Sequence, residues 1–150
     1  MLIYFSNAPL VVPVQAKQSW SLDFMSDSLS NGGTFRTFNV IDDFNWTVLW
    51  IEVDSSLPAE HVVRVLEQLH FWRVKPIRIH MENSPQLISK QLKNWAQEKN
   101  IELLHNQPSQ SAQNAYIERF NRTYREDFLD AYLFEDLEEV RILTERWLED

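Results

Sequence analysis

The sequence predicts an α/β domain built on a five-stranded mixed sheet flanked by helices on both faces. Three observations lead there. Three strand-like runs come first, joined by turn signals; strand and helix patterns then alternate; two amphipathic helices close the chain. The order is β-β-β-α-β-α-β-α-α. Consecutive strands joined by tight turns pair antiparallel, and strands separated by helices pair parallel, so such a sheet is mixed and its helices cover both sides. At 150 residues, one compact domain with its own core is expected.

Residues 1–16 carry Pro9 and Pro13 in a Val-rich setting without a period, and read as a lead-in segment before a core over 17–150. Trp20, Leu22 and Phe24 alternate with Ser21, Asp23 and Met25, the pattern of a half-buried strand. Asn31-Gly32-Gly33 signals a hairpin turn. Thr34–Ile41 and Thr47–Val53 follow as strands across the polar turn Asp42–Asn45. Ser56-Leu-Pro58 then opens a helix whose Val62, Val65, Leu66 and Leu69 repeat at helical spacing. Lys75–Met81 returns to alternation, with Ile77, Ile79 and Met81 on one side.

Ser84-Pro85 predicts a capped helix start, running to about Lys99 with Ile88, Leu92, Trp95 and Ala96 inward. Ile101–Leu104 is the fifth strand, His105–Gln113 a polar loop, and a long helix starts near Ala112. Asp136–Trp147 is the last helix.

Composition removes several function classes. The chain has no cysteine, which excludes disulfides and Cys-type zinc sites and fits a reducing compartment. No run approaches the roughly 20 apolar residues of a membrane span, and Met1–Leu10 lacks the basic start of a signal peptide. The net charge of −8 is a poor match to a free-standing nucleic-acid binder. Part of it is local: Glu118–Asp150 holds 11 acids and 5 bases. That balance fits either a solvated helical face with DNA contacts elsewhere or weak DNA binding. The four histidines show no paired metal-ligand spacing, and Trp46, Trp50, Trp72 and Trp95 are expected in core or interface positions.

Three carboxylates stand out: Asp23 in Trp20-Ser-Leu-Asp-Phe24, Glu82 in Ile79-His-Met-Glu-Asn-Ser-Pro85, and Glu118 in Asn114-Ala-Tyr-Ile-Glu-Arg-Phe-Asn121. Two lie in or at the end of strands and the third on a helix. Acids gathered in this way can hold two divalent metals about 3.5–4 Å apart for phosphoryl transfer. Each also has a plainer reading. Asp23 alone is a partly exposed strand residue, and Glu82 alone is a helix-N-terminal acid stabilised by the dipole. On the third helix Asn114, Glu118, Arg122 and Arg125 fall at roughly 0°, 40°, 80° and 20°. That narrow polar stripe is either a ridge of metal ligand and phosphate clamps or a solvated face with ordinary ion pairing.

Type and spacing together resemble the catalytic core of bacterial insertion-sequence transposases, in the retroviral-integrase superfamily. Specific stretches carry the resemblance: Val40-Ile-Asp-Asp-Phe-Asn45 and Ala112-Gln-Asn-Ala-Tyr-Ile-Glu-Arg-Phe-Asn-Arg122, with 35 residues between Glu82 and Glu118. It runs from about Trp20 to Asp150. The resemblance implies an RNase H-like fold, with Asp23, Glu82 and Glu118 as catalytic acids holding two Mg²⁺ (or Mn²⁺) ions. It further implies Asn114, Arg122 and Arg125 as DNA contacts, Arg125 matching the basic residue seven positions after the last acid. DNA, as element end and target, is the implied partner, on which such cores self-associate, and the bacterial cytoplasm is the implied compartment.

The chain departs from the family pattern in telling places. The middle acid is normally Asp, and here it is Glu82, in Glu82-Asn-Ser-Pro-Gln-Leu87 where relatives usually read Asp-Asn-Gly-Pro-Glu-Phe. Trp46 replaces a common Arg, and Gln107–Ala112 lacks the usual Gly and basic residue. The expected function is therefore metal-dependent DNA cleavage and strand transfer, weakened by Glu82. The alternatives are an inactive remnant that keeps the fold, or an RNase H-like nuclease. The family's usual preceding DNA-binding region is not in this sequence, so a fragment or a truncated gene product is expected.

Overall fold

The computed structural model describes residues 19–44, 47–73, 75–82, 84, 86–106 and 111–150, apart from the side chains at 106 and 111–114. The lead-in segment 1–16, the Asn45 end of the second turn, Trp46, Pro85 and the 107–110 part of the polar loop lie outside the described residues.

The elements are β1 (Ser19–Ser28), β2 (Thr34–Asp42), β3 (Val48–Asp54), α1 (Ala59–Trp72), β4 (Arg78–Glu82), α2 (Lys90–Glu98), β5 (Glu102–Asn106), α3 (Ser111–Asp127) and α4 (Leu137–Glu149). A short 3-10 turn, Leu129–Ala131, links the last two helices. The sheet order is β3-β2-β1-β4-β5. β1–β2 and β2–β3 pair antiparallel, and β1–β4 and β4–β5 pair parallel, as the element order predicts. Gly32 takes φ +92 in the β1–β2 turn, and the Gly33 N–H donates to Asn31 Oδ1. This turn fixes a register in which Asp23 faces Asn39 across the strands.

Each face of the sheet has its own layer. On one, Trp20, Leu22, Phe38, Val40, Ile79 and Met81 pack with α1 (Val62, Val65, Leu66, Leu69) and α2 (Leu92, Trp95, Ala96). On the other, Phe35, Ile51 and Val53 pack with Tyr124, Phe128, Leu129, Phe134 and Val140. A register shift between Val40 and Ile41 lets Leu49 join the first layer while Ile51 joins the second. A fully buried residue of this size stabilises by roughly 1.5–3 kcal/mol, so both layers hold the sheet.

Local chemistry moved several boundaries. The helix expected from Ser84 begins instead at Lys90, capped by Ser89, whose Oγ accepts from the Leu92 N–H at 3.2 Å. Ser84 caps only a turn, its Oγ accepting from Leu87 N–H at 3.3 Å. That turn sends Leu87 into the core and leaves Ile88, expected inward, 48% exposed. Ile77 is likewise exposed, because β4 starts one residue later at Arg78. Of the tryptophans expected in core or interface positions, Trp95 is buried, whereas Trp50 and Trp72 are exposed. Asp42 and Asp43, expected in a polar turn, are both buried.

Candidate active site

The parallel pairing of β1 and β4 sets Leu22 beside Met81. One residue further along both strands come Asp23 and Glu82, so two of the three acids are neighbours by register. Helix α3, which carries Glu118, crosses β1, β4 and β5. Asp23 is half-buried while Glu82 and Glu118 are exposed. Burial pushes the Asp23 carboxyl up to about 6, and the charges of Glu82 and Glu118 push the same way. Hydrogen bonds from the Phe24 N–H to Oδ1 (2.8 Å) and from Asn121 Nδ2 to Oδ2 (2.8 Å) oppose the rise. Acids from a central strand, its parallel neighbour and a crossing helix therefore share one electrostatic environment.

The environment is open rather than closed. Among the described residues no group of three His, Cys, Asp or Glu side chains is gathered tightly enough to hold a metal ion. The donor chemistry nonetheless suits one. Carboxylate oxygens are the ligands that hard divalent cations select, and a cation would offset the burial and the neighbouring charges that raise Asp23.

The polar stripe of α3 divides. Arg125 is committed to the protein: Nη2 donates to the Ser26 carbonyl at 2.8 Å, and Nη1 lies 3.4 Å from Asp27 and 3.8 Å from Asp130. Arg122 is exposed and makes no ion pair among the described residues. The Asn114 side chain lies outside the described residues; its backbone belongs to α3.

Sequence reasoning missed two groups of residues. Asn121 bonds Asp23 directly, and Asn39 in turn donates to Asn121 Oδ1 at 2.8 Å. The signals existed: Asn121 follows Glu118 by three positions, a same-face spacing, and counting back from the Asn31–Gly33 turn places position 39 opposite 23. The second group is Asp43, which accepts from the Ser19 and Ser21 hydroxyls at 2.7 and 2.6 Å. Burial pushes its carboxyl up to about 7. Ser19, Ser21 and Asp23 share one face of β1, so these bonds fix the strand just ahead of Asp23. No sequence pattern distinguished this buried aspartate from a turn residue.

A five-stranded mixed sheet in this strand order, crossed by this helix, is a recurrent α/β fold class, and the sequence places the chain within it. Residues 13–111 match the integrase core domain family, and residues 99–150 match a second integrase core domain family. The chain belongs to the integrase core domain family. It is 32% identical over 148 residues to an uncharacterized 31.7 kDa protein of insertion element IS407 from Burkholderia multivorans, covering 99% of this chain and 53% of that protein. It is also 32% identical over 138 residues to a 39.2 kDa uncharacterized protein of insertion element IS476 from Xanthomonas euvesicatoria, covering 92% and 40%. The chain thus spans about half or less of the length of these relatives.

Among solved structures, the HTLV-2 integrase catalytic core in complex with magnesium superposes with a TM-score of 0.65 at 16% identity, covering 80% of this chain and 74% of that one. The BIV integrase core gives 0.61 at 19% identity, covering 77% and 71%. These likenesses establish the RNase H-like fold. No helix among the described residues is long and apolar enough to cross a membrane.

Proposed function

We propose that this chain is the catalytic core of a transposase acting on DNA in the bacterial cytoplasm, with Asp23, Glu82 and Glu118 as the acids that hold Mg²⁺ or Mn²⁺. The observation that carries the reading is the Asp23 environment: a half-buried carboxylate, held by two donors, within reach of acids from two other elements. Two divalent ions, when bound, supply the charge that favours in-line attack on a phosphodiester, first in cleavage at an element end and then in strand transfer.

The chain's own residues set the stage for that chemistry. Asp23 presents a fixed carboxylate, because both oxygens already accept a hydrogen bond and each keeps a lone pair. Arg122, exposed on the ridge of Glu118, is placed to meet backbone phosphate. Arg125 reaches phosphate only by giving up Ser26 and Asp27, so it contributes less, and Asn114 completes the proposed contacts. DNA and a second copy of the chain are the proposed partners.

Glu82 weakens the reaction in this reading. It keeps the charge of the usual Asp but moves the carboxylate out by a methylene, roughly 1 Å or more, and displacements of that size cost catalysis heavily. Glu82 in place of the usual Asp and the net charge of −8 favour the second reading, a fold that has lost the reaction. Strand transfer with Mn²⁺ or Mg²⁺ on element-end DNA separates the two. Glu82→Asp is expected to raise the rate by a factor of hundreds, the scale of one well-placed transition-state contact at about 3–4 kcal/mol. Equal rates for parent and variant would show that the site tolerates the longer acid. No rate in either, with Mn²⁺ still bound, would leave the inactive fold.

A further inference from the structure

We propose that Asn39 is a positioning residue for the acidic site, acting through Asn121 to fix the direction of the Asp23 carboxylate; this rests on the reading of Asp23 as a metal ligand. Asn39 lies directly opposite Asp23 in the β1–β2 register and is fully buried. Its Nδ2 donates to Asn121 Oδ1 at 2.8 Å, and Asn121 Nδ2 donates to Asp23 Oδ2 at 2.8 Å. The result is a two-step chain of donors that begins on β2, passes through α3 and ends on the carboxylate.

The direction of the chain follows from the chemistry of the amide. A carboxamide has one accepting end and one donating end. Because Asn39 occupies the accepting end of Asn121, the NH₂ end is left facing Asp23. Asp23 and Asn39 thus hold the two ends of one amide, and without Asn39 only the bond to Asp23 would restrain it. Asn39 therefore steadies a bond it does not itself make.

Asn39 is also a poor choice for stability alone. Its Oδ1 is buried with no partner among the described residues, and its other Nδ2 neighbour is Met25 Sδ at 3.3 Å, a weak acceptor. Buried orphan acceptors are rare and call for an explanation. A leucine of similar size would remove that orphan, leaving only Asn121 Oδ1, on a part-buried residue, short of its donor. Holding Asn121, and through it α3 with Glu118 against β1 with Asp23, is the explanation.

The test uses the 150-residue chain and two readouts. In metal-free protein, the Asn121 side-chain NH₂ resonances are expected to shift and lose their hindered exchange in Asn39→Leu. In Mn²⁺ titrations followed by electron paramagnetic resonance, Asn39→Leu is expected to weaken binding about tenfold or more, the scale of a residue that orients a metal ligand. Its melting temperature should equal or exceed that of the parent. Adding Asn121→Ala to Asn39→Leu should then change Mn²⁺ affinity little further, because the two act as one relay.

Parent-like Asn121 resonances, parent-like Mn²⁺ affinity or additive losses would each overturn the proposal. If Asn39→Leu does not fold, Asn39→Val removes the same donor with a strand-compatible side chain. Absence of Mn²⁺ binding by the parent would overturn the metal reading and with it the positioning role. The NMR arm, which needs no metal, then shows separately whether Asn39 orients Asn121.

Discussion

Leu22 and Asp23 are adjacent on β1, yet they belong to different halves of the molecule. Leu22 faces α1 and α2, where Trp20, Phe38, Ile79 and Met81 form a predominantly apolar layer. Asp23 faces α3, on a side of β1 that reads Ser19, Ser21, Asp23, Met25 and Asp27. There β2 adds buried Thr37 and Asn39. Alternation along one strand thus serves two ends: one set of residues makes the fold and the other makes the site. The polar side is held by directional bonds at three points, Asp43 on Ser19 and Ser21, Asn121 on Asp23, and Arg125 on Ser26 and Asp27. Apolar contacts tolerate small slips, whereas the Asn121 and Arg125 bonds fix the register of α3 on the sheet.

The sharpest break in this comparison comes from substituting the two neighbours in turn. Leu22→Ala should cost about 2–5 kcal/mol in urea unfolding, the range for a buried leucine. Asp23→Asn should do the reverse near neutral pH. Asp23 binds its proton more tightly when folded, up to about 6, against about 3.9 when unfolded. Between those values the folded state holds more protons, so stability falls as pH rises through the window and stays lower above it. Asn cannot ionise. Asp23→Asn should therefore melt higher than the parent at pH 7.5, and the two should converge below about pH 4. Asp43, raised to about 7, extends the same downward trend in both proteins. A variant that melts lower than the parent at pH 7.5 would mean that the lost hydrogen bond outweighs the relieved charge.

The two halves were not equally legible. Periodicity exposed the apolar layers well, because Val62, Val65, Leu66 and Leu69, or Trp20 and Leu22, repeat with the period of their element. It missed Ile88 because two serines offered competing caps, and only packing of Leu87 against the core selects the second. The acids of the site were visible as motifs. The chain that holds Asp23 was legible only in part, since spacing puts Asn121 on the face of Glu118 and register puts Asn39 opposite Asp23, but their bonds form only where the helix crosses the sheet. A buried aspartate such as Asp43 has no local signature: its serine partners lie 24 and 22 residues away. How tightly Glu82 and Glu118 gather with Asp23 also depends on side-chain reach, which sequence does not encode.

The two arginines of α3 refine the contrast between structural and free polar groups. DNA affinity measured against salt should lose roughly one unit of slope in log K against log salt when a phosphate contact is removed. Arg122→Ala is expected to show that loss with little change in stability. Arg125→Ala should instead destabilise by about 1 kcal/mol, the ordinary net value of a hydrogen bond with its partly exposed ion pairs, and change the slope less. Equal slopes for Arg122→Ala and the parent would make the whole stripe a solvated face.

The smallest effect separates the two serines before α2. Ser89 has the extended backbone of a true N-cap, and its Oγ accepts from Leu92 N–H. Ser89→Ala removes that acceptor from the first turn of a nine-residue helix, and a lost cap costs about 1 kcal/mol. Ser84 Oγ accepts a 3.3 Å bond from Leu87 N–H, which also has the Ser84 carbonyl at 3.0 Å. Ser84→Ala leaves that second acceptor in place, so its cost should be a few tenths of a kcal/mol. Denaturant midpoints of the two variants should therefore fall in the order parent, Ser84→Ala, Ser89→Ala. The reverse order would place the working cap at Ser84, where the sequence first suggested it, and would mean that the helix in solution extends back over Ile88.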